Sequence, residues 1–212
     1  MKTPWRGCYA ITPDEADTGR LMDQVVAVLA GHPALLQYRN KQAGPALRRE
    51  QARKLLPLCR AVGVPFVIND DLALALDLGA DGVHLGHDDG DPATARRALG
   101  TDRILGVSCY DEWRRAATAT AAGADYIAFG AMFASTTKPR ARHAPFDLLA
   151  RARRELDVTV AAIGGITLAN AADVIAAGAD LVAVISDLFN APDPGARAAA
   201  FAELFTRVPR SG

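Results

Sequence analysis

The sequence predicts a (β/α)8 TIM barrel: one α/β domain across residues 1 to 212, ending in a short polar tail at about 207–212. Three observations carry this. Short apolar runs stop at polar or glycine clusters: Gln37 to Lys41, Asn69-Asp70-Asp71, His84 to Asp89, Ser108, Ser135 to Lys138, Gly164-Gly165 and Ser186. Because all strands of a parallel barrel point the same way, such clusters converge on one rim. The phrase Gly-Ala-Asp recurs at 79–81, 123–125 and 178–180, each time between a helical run and an apolar strand; glycine there suits the residue just past a helix end. Lastly, apolar runs alternate with helical patterns throughout, and no G-x-G-x-x-G turn supports an open dinucleotide-binding sheet.

The strands are expected at about 7–12, 34–40, 65–69, 82–86, 103–109, 126–130, 159–166 and 181–186. Segments such as Arg48 to Val62, Glu112 to Ala122, Phe146 to Glu155 and Ala196 to Phe205 mix alanine and leucine with arginine, as amphipathic outer helices do. At the second strand's end, a period of two sends Gln37, Arg39 and Lys41 to one face and Tyr38 and Asn40 to the other. Two inward cations and an amide suit an anionic ligand, such as a polyphosphate, better than packing. After the third strand, Asp71 is placed to cap a helix starting near Leu72, leaving Asp70. After the fourth, Asp91 with Pro92 supplies the helix start, so Asp89 is spare.

Asp70 and Asp89 therefore suit Mg2+, which is commonly held by one or two carboxylates plus waters and phosphate oxygens. A zinc site from His84 and His87 lacks a third nitrogen or sulfur ligand. In the sixth loop, Ser135, Thr136, Thr137 and Lys138 offer hydroxyls and a cation to a phosphate. Gly164-Gly165 allows close backbone approach, and Ile185-Ser186 ends the eighth strand; loops seven and eight often form a barrel's phosphate site.

Composition narrows the classes. The 24 Lys and Arg balance the 24 Asp and Glu, so no global basic field draws nucleic acid or an anionic membrane. No apolar run has the length of a signal peptide or a membrane span. Cys8, Cys59 and Cys109 are an odd, scattered set that fits a reducing compartment, and a cytoplasmic protein is expected.

Taken in order, Tyr9-Ala10-Ile11-Thr12, Gln37-Tyr38-Arg39-Asn40-Lys41, Val67-Ile68-Asn69-Asp70-Asp71, Gly82-Val83-His84-Leu85-Gly86, Gly106-Val107-Ser108, Ser135-Thr136-Thr137-Lys138, Ile163-Gly164-Gly165-Ile166 and Val184-Ile185-Ser186 strongly resemble the thiamine-phosphate synthase family. That resemblance implies a transferase that joins hydroxymethylpyrimidine diphosphate to hydroxyethylthiazole phosphate. It implies Gln37, Tyr38, Arg39, Asn40, Lys41, Asn69, Ser108 and Lys138 on the pyrimidine diphosphate, with Arg39, Lys41, Ser108 and Lys138 assisting catalysis. It implies one Mg2+ on Asp70 and Asp89, and Ser135, Thr136, Thr137, Gly165, Ile185 and Ser186 on the thiazole phosphate. The implied partners are thus two small phosphorylated molecules, with no nucleic acid or membrane; a homo-oligomer is left open.

Four residues depart from the family pattern: His87 where glutamine is frequent, Ala131 and Ala134 where prolines are common, and Ser135 where threonine is usual. Three rival readings follow from the same residues. A thiazole tautomerase relative would not need the set Arg39, Lys41, Asp70, Asp89 and Lys138. A Schiff-base aldolase would need Lys138 desolvated, which a polar loop does not offer. A non-catalytic phosphate sensor would bind without turnover.

Overall fold

A computed structural model describes residues 5–134 and 143–208. Eight parallel strands close into a barrel in sequence order: β1 (Gly7–Ile11), β2 (Leu35–Tyr38), β3 (Phe66–Asn69), β4 (Gly82–Leu85), β5 (Ile104–Tyr110), β6 (Tyr126–Phe129), β7 (Thr159–Ile163) and β8 (Leu181–Val184), with β8 pairing back onto β1. Around it run α1 (Thr18–Leu29), α2 (Pro45–Ala61), α3 (Leu72–Leu78), α4 (Pro92–Leu99), α5 (Trp113–Ala121), α6 (Asp147–Glu155), α7 (Ala171–Ala176), α8 (Ser186–Phe189) and α9 (Pro194–Arg207). No helix among the described residues is long and apolar enough to cross a membrane.

The Gly-Ala-Asp phrases do more than turn the chain. Gly79, Gly123 and Gly178 take positive φ angles of 63°, 86° and 116°, which cost glycine little. The aspartate that follows clips onto the preceding strand. Asp81 donates its backbone N–H to Phe66 O (3.0 Å) and accepts the Phe66 N–H on its carboxylate (2.8 Å). Asp125 does the same to Leu105 (2.8 and 2.8 Å) and Asp180 to Val160 (2.7 and 3.1 Å). Each clip satisfies an amide at the first or second residue of a strand and fixes the next strand's register.

Alternation along the strands separates two cores. Cys8 and Ala10 face the helices, while Tyr9 and Ile11 face the barrel interior with Leu35, Val67, Tyr126 and Leu181. Burial of each large side chain in the helix layer, such as Phe66, Phe129 or Phe201, contributes about 1.5–3 kcal/mol. The helix-facing layer is the larger of the two cores, and the smaller interior core holds polar groups beside its apolar ones.

Helix starts are set by aspartates: Asp17, Asp71, Asp91 and Asp193 each accept an N–H from the first turn of the helix that follows. Asp71 and Asp91 are the two caps expected from spacing. The strands β2, β7 and β8 end earlier than expected, at Tyr38, Ile163 and Val184. Beyond Tyr38 the backbone of Arg39 bonds to the Thr12 hydroxyl rather than to a strand; beyond Ile163, Gly164 and Gly165 turn left-handed, with φ of 97° and 65°.

Candidate active site

The carboxyl ends of the strands surround a cavity of about 860 Å3. Gln37, Arg39, Lys41, Asn69, Asp70 and Ser108 line one side of it, and Gly165, Ile185 and Ser186 another. The side-chain alternation expected at the end of β2 holds although the strand stops at Tyr38. Tyr38 and Asn40, which the resemblance grouped with the substrate contacts, face the other way, toward a small adjoining pocket shared with Lys41, Asn69 and Asp70. The Tyr38 hydroxyl donates to Gln51 Oε1 (2.8 Å), and Asn40 Nδ2 donates to Glu15 O (2.7 Å) and Gln51 Oε1 (3.0 Å). Both side chains anchor the β2 loop to α2 and are absent from the wall of the large cavity.

Arg39 and Lys41 are positioned by the loop that follows β1. Asp14 Oδ1 accepts from Arg39 Nη1 (3.0 Å) and from the Lys41 backbone N–H (2.7 Å). Thr12, fully buried, donates its hydroxyl to Arg39 O and accepts the Arg39 N–H, both at 2.8 Å. Sequence reasoning missed Asp14; its signal was the polar Thr-Pro-Asp-Glu cluster at the end of the first strand.

Lys41 Nζ lies 3.1 Å from Asp70 Oδ2. The lysine side chain is 54% exposed, so the pair contributes at most about 1 kcal/mol to stability and its value lies in the site. Asp70 takes φ of 64°, a left-handed turn that a short polar residue tolerates, and its N–H is held by His84 O (2.8 Å). Asp89 Oδ2 accepts the Gly86 N–H (2.8 Å). Burial, and then the neighbouring Asp70 carboxylate, raise the Asp89 pKa above the ordinary carboxylate value, while the Gly86 amide and Lys41 oppose the rise.

Two carboxylates brought together from the loops after β3 and β4, with one lysine to offset them, form a hard-oxygen donor set short of positive charge. Among the described residues no third His, Cys, Asp or Glu completes a cluster, so waters and phosphate oxygens would have to fill the shell; this fits Mg2+. His84 and His87 do not converge. His84 is buried inside the barrel between Tyr126 and Ser108, whereas His87 is exposed and bonded to Asp88 (2.8 Å).

Arg115 braces this side of the mouth. Its Nε donates to Ser108 O and its Nη2 to Gly86 O, each at 2.6 Å, joining the ends of β4 and β5. Tyr110 takes φ of 55° where the β5–β6 register shifts, and its hydroxyl accepts the His87 N–H (3.2 Å). Neither residue was singled out from the sequence, because a tyrosine in an apolar strand and an arginine on a helix carry no local mark.

On the other side, Met132 N–H and Phe133 N–H bond to Ile163 O (2.9 Å) and Gly164 O (3.0 Å), which lays the β6 loop along the β7 loop. A Cβ on Gly165 would meet Ala134 O at 2.5 Å and Phe133 O at 2.7 Å, so only glycine fits there. Ser186 opens α8, and Asp187 beside it accepts from Leu168 N–H (3.0 Å) and Arg197 Nη1 (2.6 Å), fixing that helix to the β7 loop. Ser135, Thr136, Thr137 and Lys138 lie outside the described residues.

The family model for thiamine monophosphate synthase matches residues 8–188. A thiamine-phosphate synthase of Aromatoleum aromaticum is 64% identical over 203 residues, covering 96% of this chain and 98% of that protein. Another from an Azoarcus species is 62% identical over 200 residues, covering 94% and 97%. The solved thiamine phosphate pyrophosphorylase from Pyrococcus furiosus superposes with a TM-score of 0.84 at 29% identity, covering 95% of this chain and 96% of that one. A polar rim on a closed barrel, read together with similarity over nearly the whole length, establishes that the chain belongs to the thiamine monophosphate synthase family and is a transferase of that type.

Proposed function

We propose that the chain condenses 4-amino-2-methyl-5-(diphosphooxymethyl)pyrimidine with 4-methyl-5-(2-phosphooxyethyl)thiazole, giving thiamine monophosphate and pyrophosphate. The observation that carries this is one cavity of about 860 Å3 with two different anion-friendly sides: the cations and carboxylates of the β2–β5 ends, and the glycine turn and Ser186 of the β7–β8 ends. That volume suits two small substrates held in contact. The buried, unpaired thiols of Cys8, Cys59 and Cys109 support a reducing, cytoplasmic setting.

In this reading Arg39 and Lys41 bind the diphosphate, with Lys138 in the same role; Asn69 and Ser108 hydrogen-bond to the same substrate. Ser135 to Thr137, Gly165, Ile185 and Ser186 hold the thiazole phosphate. Asp70 and Asp89 would hold Mg2+, which when bound supplies further neutralisation of the leaving diphosphate. The bond from the pyrimidine methylene carbon to the diphosphate oxygen breaks first. Its electron pair leaves with the pyrophosphate, and the 4-amino group donates into the ring to stabilise the cation. The thiazole nitrogen then closes the new C–N bond. No side chain of the cavity is needed as a nucleophile; positioned cations stabilise charge as it develops, and holding both partners together supplies the rest.

The test is product formation from both substrates in the presence of Mg2+, followed by single-turnover kinetics with the 2-trifluoromethyl pyrimidine. Electron withdrawal should slow the chemical step by orders of magnitude, at about tenfold per 1.36 kcal/mol. Binding of both substrates without product would leave a sensor. Equal chemical rates for the two pyrimidines would replace dissociation with concerted displacement.

A further inference from the structure

Beneath the cavity floor, five side chains from five strands form one unbroken hydrogen-bond chain. Gln37 Nε2 meets the Tyr9 hydroxyl at 2.5 Å, Tyr9 meets Tyr126 hydroxyl to hydroxyl at 2.5 Å, the Tyr126 hydroxyl meets His84 Nδ1 at 2.9 Å, and His84 Nε2 meets Ser108 Oγ at 2.8 Å. Tyr9, Gln37, Tyr126 and His84 are all buried. Gln37 and Ser108, the two ends, both line the cavity, as does the edge of His84.

Counting hydrogens fixes the direction. The His84 ring is buried with its two nitrogens against neutral hydroxyls, those of Tyr126 and Ser108, and no carboxylate bonds to it, so it is neutral, with one nitrogen donating and the other accepting. Each tyrosine has a single hydroxyl hydrogen, and burial holds both phenols well above their ordinary pKa. Gln37 Nε2 can only donate, so Tyr9 oxygen accepts at that end; buried Tyr9 bonds to nothing but Gln37 and Tyr126, so its own hydrogen is satisfied only by donating onward to Tyr126, and the reverse chain would leave that hydrogen orphaned in the core. Tyr126 then donates to His84 Nδ1, which forces the ring hydrogen onto Nε2, and Nε2–H donates to Ser108 Oγ. The serine hydrogen is left over and points to the cavity.

We propose that Gln37, Tyr9, Tyr126 and His84 act as a one-way positioning relay that presents Ser108 to the substrate as a hydrogen-bond donor. The proposal rests on the functional reading above, in which Ser108 faces the pyrimidine diphosphate. A serine free to spend its hydrogen on His84 would offer that anion only lone pairs; the relay removes this option before substrate arrives. Tyr9 and Tyr126 are positioning residues, since neither lines the cavity.

The experiment has two parts. In the free protein, 15N spectra of the histidine side chains, with His84 assigned from a His84→Gln variant, should show the Nε2–H tautomer at neutral pH; Tyr126→Phe, which cannot donate to Nδ1, should shift it toward Nδ1–H. In steady-state kinetics Tyr126→Phe should lower kcat about tenfold with the KM for the pyrimidine diphosphate changed less than twofold, and should cause no further loss in a Ser108→Ala background. Tyr9→Phe, one bond further from Ser108, repeats both measurements should Tyr126→Phe not fold. An Nδ1–H tautomer in the unmodified protein, or equal loss with and without the Ser108 hydroxyl, would overturn the relay. Should no thiamine monophosphate form at all, the functional reading fails while the tautomer still decides the direction of the chain.

Discussion

Gly106 is the residue that makes room for Tyr126, and replacing it tests how tightly the barrel interior is built. An ideal Cβ at Gly106 would lie 2.0 Å from Tyr126 Cζ, 2.2 Å from its hydroxyl oxygen and 2.4 Å from Cε1. Carbon atoms rest at about 3.5–4.0 Å, so the ring end must retreat by roughly 1.5 Å. It has no free space to enter, being fully buried and bonded to both Tyr9 and His84. Overpacking of this kind costs about 1–3 kcal/mol, and two displaced hydrogen bonds add about 1 kcal/mol each. The gain from removing a strand glycine returns about 0.5–1 kcal/mol.

The net loss for Gly106→Ala is therefore about 3 kcal/mol, which in a chain of 212 residues lowers Tm by roughly 6–12 °C. Calorimetry reads it directly. Tyr126→Leu, which removes the ring end, should shrink the cost of Gly106→Ala when the two are combined. A Tm within about 2 °C of the parent, or an equal cost with and without the ring, would refute the reasoning.

Three further outcomes are expected. Stability should fall with acid because of His84: its folded pKa, about 4, lies below the ordinary value of 6.5, so the unfolded chain takes up the proton first, and about 3 kcal/mol present above pH 6.5 is lost as pH falls toward 4; urea unfolding across that range should show the slope in the parent and lose it in His84→Gln. EDTA should abolish turnover and Mg2+ restore it, while Asp70→Ala and Asp89→Ala should each depress turnover with circular dichroism unchanged; full activity in either folded variant would remove that residue from the metal site. Asp14→Ala, which frees Arg39 and the Lys41 backbone together, should raise the KM for the pyrimidine diphosphate about tenfold or more, the weight of a charge-assisted contact of roughly 1.5–3 kcal/mol, and leave the thiazole phosphate KM in place; a change confined to the thiazole would contradict the division of the cavity.

What was legible in the sequence was the part written locally. Asp71 and Asp91 could be recognised as caps because capping depends on a few successive residues, and that alone left Asp70 and Asp89 over. The alternation at Gln37, Arg39 and Lys41 survived the early end of β2 because Thr12 and Asp14 hold the Arg39 and Lys41 amides in place of a neighbouring strand. Strand ends at 163 and 184 were overestimated because apolar character continues through Ile166 and Ile185 while the backbone has already turned. The start of α2 at Pro45 was marked by Gly44-Pro45, a glycine before an N1 proline, and was set three residues late. The relay was not legible at all: Tyr9 and Tyr126 stand 117 residues apart, and each reads as an ordinary apolar strand position until barrel closure brings their hydroxyls together.

The charge pattern of the rim explains how a protein of zero formal net charge can prepare a site for two anions. Arg39 is paired with Asp14 and Lys41 with Asp70, so each cation is held in place before any ligand arrives and side-chain ordering is not charged to the binding step. The two pairs are not equivalent. Asp14 also accepts the Lys41 backbone N–H on its carboxylate, a bond that does not depend on where the Lys41 side chain goes, and so acts as a fixed brace. Asp70 holds only the mobile end of Lys41 and is crowded by Asp89, which makes it the partner that a divalent ion would take over. Under the proposed reaction, a lysine released at that moment would be a point charge on a flexible stem, able to follow a departing diphosphate, whereas the braced arginine would keep its planar fork where the diphosphate first docks. On that proposal the rim would combine one fixed cation with one transferable cation, and the same order of events would account for both being paired with carboxylates in the resting barrel.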